Sequence, residues 1–144
     1  MEIKKVGIIS LDNKVDITDP CYDKDIFDRI TTECVPGEYT GYIAVDTFDS
    51  RVNSLAIYLN DEKCNDSDFE EIGVIGVDSG MAGFFNNKQD FGYKEWEQFC
   101  NATDWSKRAW VGYNGVYSSS GYGDGGYSAY ANKDRTAFKI EFIA

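Results

Sequence analysis

Apolar and polar residues alternate in several short stretches. The pattern is clearest near the end of the chain, where Phe138, Ile140 and Phe142 fall on one side of an extended segment and Lys139 and Glu141 on the other. The same period of two runs through Tyr39, Gly41, Ile43 and Val45, and through Leu55, Ile57 and Leu59 with Ala56 and Tyr58 opposite. Val6–Leu11, Lys14–Thr18, Glu71–Val77, Met81–Phe85, Ala109–Tyr117 and Gly126–Ala131 are further strand candidates. Turn-forming pairs separate them at Asp12-Asn13, Pro36-Gly37, Asp49-Ser50, Asn60-Asp61, Asp78-Ser79-Gly80 and Asn86-Asn87. The fold expected is mainly β (α+β): an antiparallel meander or sandwich-like sheet with one or two short helices packed against it.

Two segments depart from the period of two. Asp19-Pro20 supplies an N-cap and a first helical residue, after which Tyr22, Ile26, Phe27 and Ile30 share one face, which predicts a short helix. A second helix is predicted from near Asp90, carrying Trp96, Phe99, Cys100 and Thr103 on one stripe. No internal repeat and no linker divides the 144 residues, so a single domain over 1–144 is expected, with enough apolar sequence (42%) to bury one core.

Charge and cysteine usage narrow the setting. The 25 acidic and 14 basic residues give a net charge of −11, a field that repels nucleic-acid backbones and anionic membranes; ordinary nucleic-acid binding and membrane association are not expected. The apolar stretch from Val6 to Leu11 is too short for a signal-peptide core or a membrane span, and a cytoplasmic location is expected. Cys21, Cys34, Cys64 and Cys100 form no CxxC pair, and the chain has no histidine to complete a mixed zinc site; no cofactor and no metal are expected. Two disulfides are formally compatible with four cysteines, but reduced thiols suit a chain without an export signal.

Several motifs invite chemistry and are weighed against plainer readings. Gly121-Tyr122-Gly123-Asp124-Gly125-Gly126 matches GxGxxG, yet strand-like Tyr127–Ala131 follows where a dinucleotide fold needs a helix. Asp124-Gly125 reads better as the turn of a hairpin between tyrosine-rich strands, or as a loop of exposed amides and tyrosines (Tyr117, Tyr122, Tyr127, Tyr130) lining a binding site. Asp78-Ser79-Gly80 resembles part of a nucleophile site but lacks a base, so a tight hairpin turn from Val77 to Met81 is expected. Asp16, Asp19, Asp78 and Asp124 would suit a hard cation if they converged. The acidic run from Asp61 to Glu71 has Asp66 where an EF-hand needs glycine, and reads as a solvated loop. Trp96, Trp105 and Trp110 and the many tyrosines and phenylalanines offer stacking surfaces, although most are expected in the core.

Three motifs in order, Ile17-Thr18-Asp19-Pro20-Cys21-Tyr22, Val77-Asp78-Ser79-Gly80-Met81-Ala82-Gly83-Phe84-Phe85 and Ser120-Gly121-Tyr122-Gly123-Asp124-Gly125-Gly126-Tyr127, resemble the bacterial and phage family named domain of unknown function 4241. That family supplies no catalytic residue to transfer. The resemblance implies that the three motifs lie together, which would bring Asp19, Asp78, Ser79, Gly80, Tyr122, Asp124 and Tyr127 to one end of the sheet as ligand-binding candidates. It also implies a setting of conflict between phage and host.

The leading expectation is a non-enzymatic binding protein that captures a small polar, nucleotide-like ligand or a partner protein, with oligomers compatible. An anionic ligand would need local cations such as Lys107, Arg108, Lys133 or Arg135. The alternatives are an acidic inhibitor or immunity protein that blocks a basic surface, and a metal-assisted hydrolase using Asp78 and Asp124.

Overall fold

The computed structural model describes residues 1–24 and 28–143. Its strands are β1 (Glu2–Leu11), β2 (Lys14–Thr18), β3 (Ile30–Glu33), β4 (Gly37–Val45), β5 (Val52–Leu59), β6 (Phe69–Val77), β7 (Met81–Phe85), β8 (Ala109–Gly112), β9 (Gly115–Ser119), β10 (Gly125–Asn132) and β11 (Ala137–Glu141). A helix, α1 (Tyr93–Ala102), and a 3-10 turn at Asp66–Asp68 complete the described elements. Two antiparallel sheets result, of order β1-β4-β5-β11-β10-β6 and β3-β2-β7-β9-β8. The fold is mainly β, as expected.

The sheets face each other because their strands present apolar side chains every second residue. Tyr39, Ile43 and Val45 from β4, Leu55 and Ile57 from β5, and Phe138 and Ile140 from β11 meet Val15, Ile17, Ala82, Phe84 and Val116 from the second sheet in one core. Full burial of each large side chain contributes about 1.5–3 kcal/mol. Tyr39 spans the core and donates its hydroxyl to Val35 O at 2.7 Å, so its polar end is not stranded.

All five residues of β7 are buried, because this strand is covered on both faces. Ala82 and Phe84 point to the first sheet, while Met81 and Phe85 join Phe99, Trp110 and Tyr117 in a second cluster under α1. Phe99 stacks on Tyr117 at 5.6 Å, and Thr103 Oγ1 meets Tyr117 Oη at 2.5 Å. The predicted helical stripe is therefore anchored by Phe99 and Thr103, whereas Trp96 and Cys100 are exposed.

Several expectations change. Ile30 opens β3, paired with Ile17, so it does not share a helical face with Tyr22; Ile26 and Phe27 lie outside the described residues. No helix forms over the described residues that follow Asp19, whose carboxylate is drawn to a distant loop instead. Ala109–Tyr117 is two strands, since Tyr113 (φ 57°) and Asn114 (φ 59°) form a turn with two left-handed residues, the type that closes a two-residue hairpin. Neither Asp78-Ser79-Gly80 nor Asp124-Gly125 closes a hairpin. Each lies where the chain passes from one sheet to the other, β6 to β7 and β9 to β10, because the core needs apolar faces from both layers.

Candidate functional site

Both crossings fall at the same end of the sandwich, and Asp19 fixes the first of them to the end of β2. It follows β2 directly, is fully buried, and its carboxylate accepts four hydrogen bonds. Oδ1 takes the Cys21 amide and the Ser79 hydroxyl, each at 2.8 Å; Oδ2 takes the amides of Asp78 at 2.9 Å and Ser79 at 2.7 Å. A buried carboxylate needs this saturation, because each unmet lone pair in a low-dielectric interior costs free energy.

The third motif joins through backbone contact. Ser120 N donates to Gly80 O at 3.0 Å, and a Cβ placed on Gly80 would lie 4.0 Å from Gly123 Cα. Gly80 sits at φ 73°, a left-handed conformation that glycine adopts without strain. The Ser120 hydroxyl donates to Gly123 O at 2.7 Å, and the Tyr127 hydroxyl lies within reach of the carbonyls of Ser120 (3.0 Å) and Gly123 (2.5 Å). Arg51, from the β4–β5 loop, stacks over the exposed Tyr122 ring at 4.3 Å and donates to Gly121 O at 3.3 Å.

Asp19, Ser79, Gly80 and Tyr127 are thus brought to one end of the sandwich, Asp19 bonded to Ser79, and Gly80 and Tyr127 each bonded to the backbone of the third motif. Asp78, Tyr122 and Asp124 expose their side chains around them. Burial first, then the negative charges of Asp19, Asp78, Asp28 and Asp124, raise the pKa of Tyr22. Burial and Asp19 also push the Cys21 thiol up to about 11. Ser79 is a poor nucleophile here, because the carboxylate it faces already accepts three backbone amides. The four aspartates do not form a cation cage: Asp16 is held by Arg29 at 2.7 Å, by the Thr31 hydroxyl at 2.6 Å and by the Lys88 amide at 2.8 Å. Among the described residues no three acidic, cysteine or histidine side chains are grouped to hold a metal.

Beside the motif cluster the sandwich opens into a cleft of about 670 Å³, lined by Lys4, Lys5 and Val6 of β1, Asp46, Thr47 and Ser50 after β4, and Ser106–Ala109 leading into β8. Its position follows from local structure. In the β1–β4 ladder Lys4 pairs with Ile43 and so shares its inner face, while the register shift between Lys5 and Gly7 turns Val6 to that side as well; Lys5 pairs with Tyr42 on the outer face and only borders the cleft. On the other wall, Asp104 accepts the Ser106 amide (3.0 Å) and hydroxyl (2.7 Å), which lowers the Asp104 pKa and turns the chain so that Lys107 and Arg108 precede β8. Arg108 O accepts the Ser119 amide at 2.9 Å, one residue before the third motif, and Ser50 precedes the Arg51 that covers Tyr122.

Comparison with family models, curated proteins and solved structures finds no match to this chain, so the site is read from its geometry alone. Lys107 and Arg108, named from the sequence as local cations, line the cleft, while Lys133 and Arg135 lie in the β10–β11 turn at the other end of the first sheet. Lys4 and Lys5 went unrecognised as site residues. Their doublet at the chain start was legible, but nothing local to it announces pairing with residues a hundred positions away.

Proposed function

We propose that this protein is a non-enzymatic binding protein that captures a small anionic ligand in the cleft between β1 and β8. The supporting observation is the gathering of Lys4, Lys107 and Arg108 around one concave site, with Lys5 at its border, in a chain of net charge −11. At physiological salt, fields fade over about 8 Å, so a ligand in the cleft feels its lining more than the acidic remainder. Ser106, Thr47 and Ser50 add hydroxyl donors and acceptors, while Val6, Ile43, Val45 and Ala109 give the cleft an apolar part.

The motif cluster acts here as a rigid rim. Its buried bonds fix the β6–β7 and β9–β10 crossings, which holds Tyr122 and Arg51 beside the cleft and limits the entropy lost when a ligand binds. In a phage or mobile-element setting, such capture would sequester a nucleotide-like signal. The free thiols of Cys21, Cys34, Cys64 and Cys100 suit a reducing cytoplasm. No described helix is long and apolar enough to cross a membrane.

Native mass spectrometry of protein purified gently from its own host tests the reading. An excess mass of small-molecule size, lost in Lys4→Glu and Arg108→Glu, is the expected result. A stoichiometric second chain in its place would favour the inhibitor reading, and an excess mass retained by both variants would move the ligand out of this cleft.

A further inference from the structure

Charge and topology together narrow the ligand, and this step rests on the capture reading above. Lys4, Lys107 and Arg108 outnumber the acidic Glu2 and Asp46 in the cleft lining, and Lys5 adds a cation at its border. Those cations are divided between the layers. Lys4 and Lys5 belong to an edge strand of the six-stranded sheet, and Lys107 and Arg108 lead into an edge strand of the five-stranded sheet. β1 and β8 approach closely, since a Cβ on Gly7 would stand 2.6 Å from Val111 Cγ2, yet neither pairs with the other in a ladder. Side chains alone bridge this seam, and at its cleft end Lys4 lines one wall and Lys107 and Arg108 the other, so like charges repel across it.

We propose that the cleft takes a phosphate-bearing ligand, and that this ligand joins the edges of the two sheets through the cations of its two walls. Phosphate oxygens accept from lysine ammonium groups and take the arginine fork in bidentate fashion, so one ligand draws on both walls. A neutral ligand of equal size leaves the cross-seam repulsion in place. The anion removes it, so binding stabilises the fold by mass action as well as filling the cleft.

The test is thermal unfolding of the full chain with 5′-AMP, inorganic pyrophosphate and adenosine as probes, in low-salt buffer free of phosphate. The two phosphate probes are expected to raise Tm in a saturable way and adenosine to leave it unchanged. Lys4→Ala and Arg108→Ala, one from each wall, should each weaken the apparent affinity about 10-fold, corresponding to about 1.4 kcal/mol, whereas Lys133→Ala at the far end should not. Isothermal titration of the same variants separates lost binding from lost stability.

An equal response to adenosine and AMP overturns the phosphate assignment, and loss from one wall only overturns the bridge. Suppose neither phosphate probe binds, while native mass spectrometry of host-purified protein still shows a captured small molecule dependent on Lys4 and Arg108. The ligand class is then wrong and the capture reading stands. No response and no captured molecule would remove both.

Discussion

At the scale of single residues, Asp19 carries the greatest structural demand. Replacing one carboxylate oxygen by an amide nitrogen in Asp19→Asn sets a donor against backbone N–H groups that need an acceptor. The expected loss is about 3 kcal/mol, against about 1 kcal/mol for Ser79→Ala, which removes a single hydroxyl donor. Urea denaturation reads both as shifts in midpoint at unchanged slope, and equal losses would contradict this account. Cys21 gives a pH prediction. Its thiol is raised from 9.0 to about 11 in the fold, chiefly by burial, so the folded state holds its proton longer than the unfolded chain. Its contribution is constant below pH 9 and declines as pH rises from 9 toward 11. A Cys21→Ser variant should lose part of that alkaline decline. Toward thiol reagents at pH 8, exposed Cys100 should react well before Cys21.

At the scale of elements, two glycines of the strands differ in what surrounds them. A Cβ on Gly83 would fall 2.2 Å from Val116 O, on the backbone of the paired strand β9, which cannot move without breaking the ladder. Gly83→Ala should cost about 3 kcal/mol or more. A Cβ on Gly7 meets only the Val111 side chain, but Gly7 sits at φ 157°, which L side chains rarely adopt, so Gly7→Ala should cost about 1–3 kcal/mol by chemical denaturation, mainly through backbone strain, while widening the β1–β8 seam. The periodic segments were legible: Lys14–Thr18 and Met81–Phe85 are strands with the boundaries that the sequence predicts. β3 was not legible, because Ile30-Thr31-Thr32-Glu33 is too short to show a period and its burial depends on lying beside Val15 and Ile17. The two crossings were read as hairpins because a tight turn has the same residues whether the next strand pairs with the last or joins the opposite sheet.

At the scale of the molecule, the charge of −11 acts against compaction through self-repulsion. Raising sodium chloride from about 20 mM to about 300 mM shortens the Debye length about fourfold. The melting temperature of the free protein should therefore rise with salt, while the affinity of an anionic ligand for the cleft should fall. A free-protein melting temperature that drops with salt would show that local ion pairs, such as Arg29 with Asp16, outweigh the general repulsion.

The sequence by itself determined the β character, the inward and outward faces of the long strands, the acidic balance and the three motifs, because each depends on residues close along the chain. Which sheet a strand joins was left to the tertiary structure, since one alternating face can be buried against either layer. The same holds for the site. Asp19 reads as a helix cap until Ser79 is beside it, and Lys4 reads as a solvated edge residue until Arg108 stands across the seam. Burial and charge opposition between distant residues are properties of the packed chain, and only packing decided them.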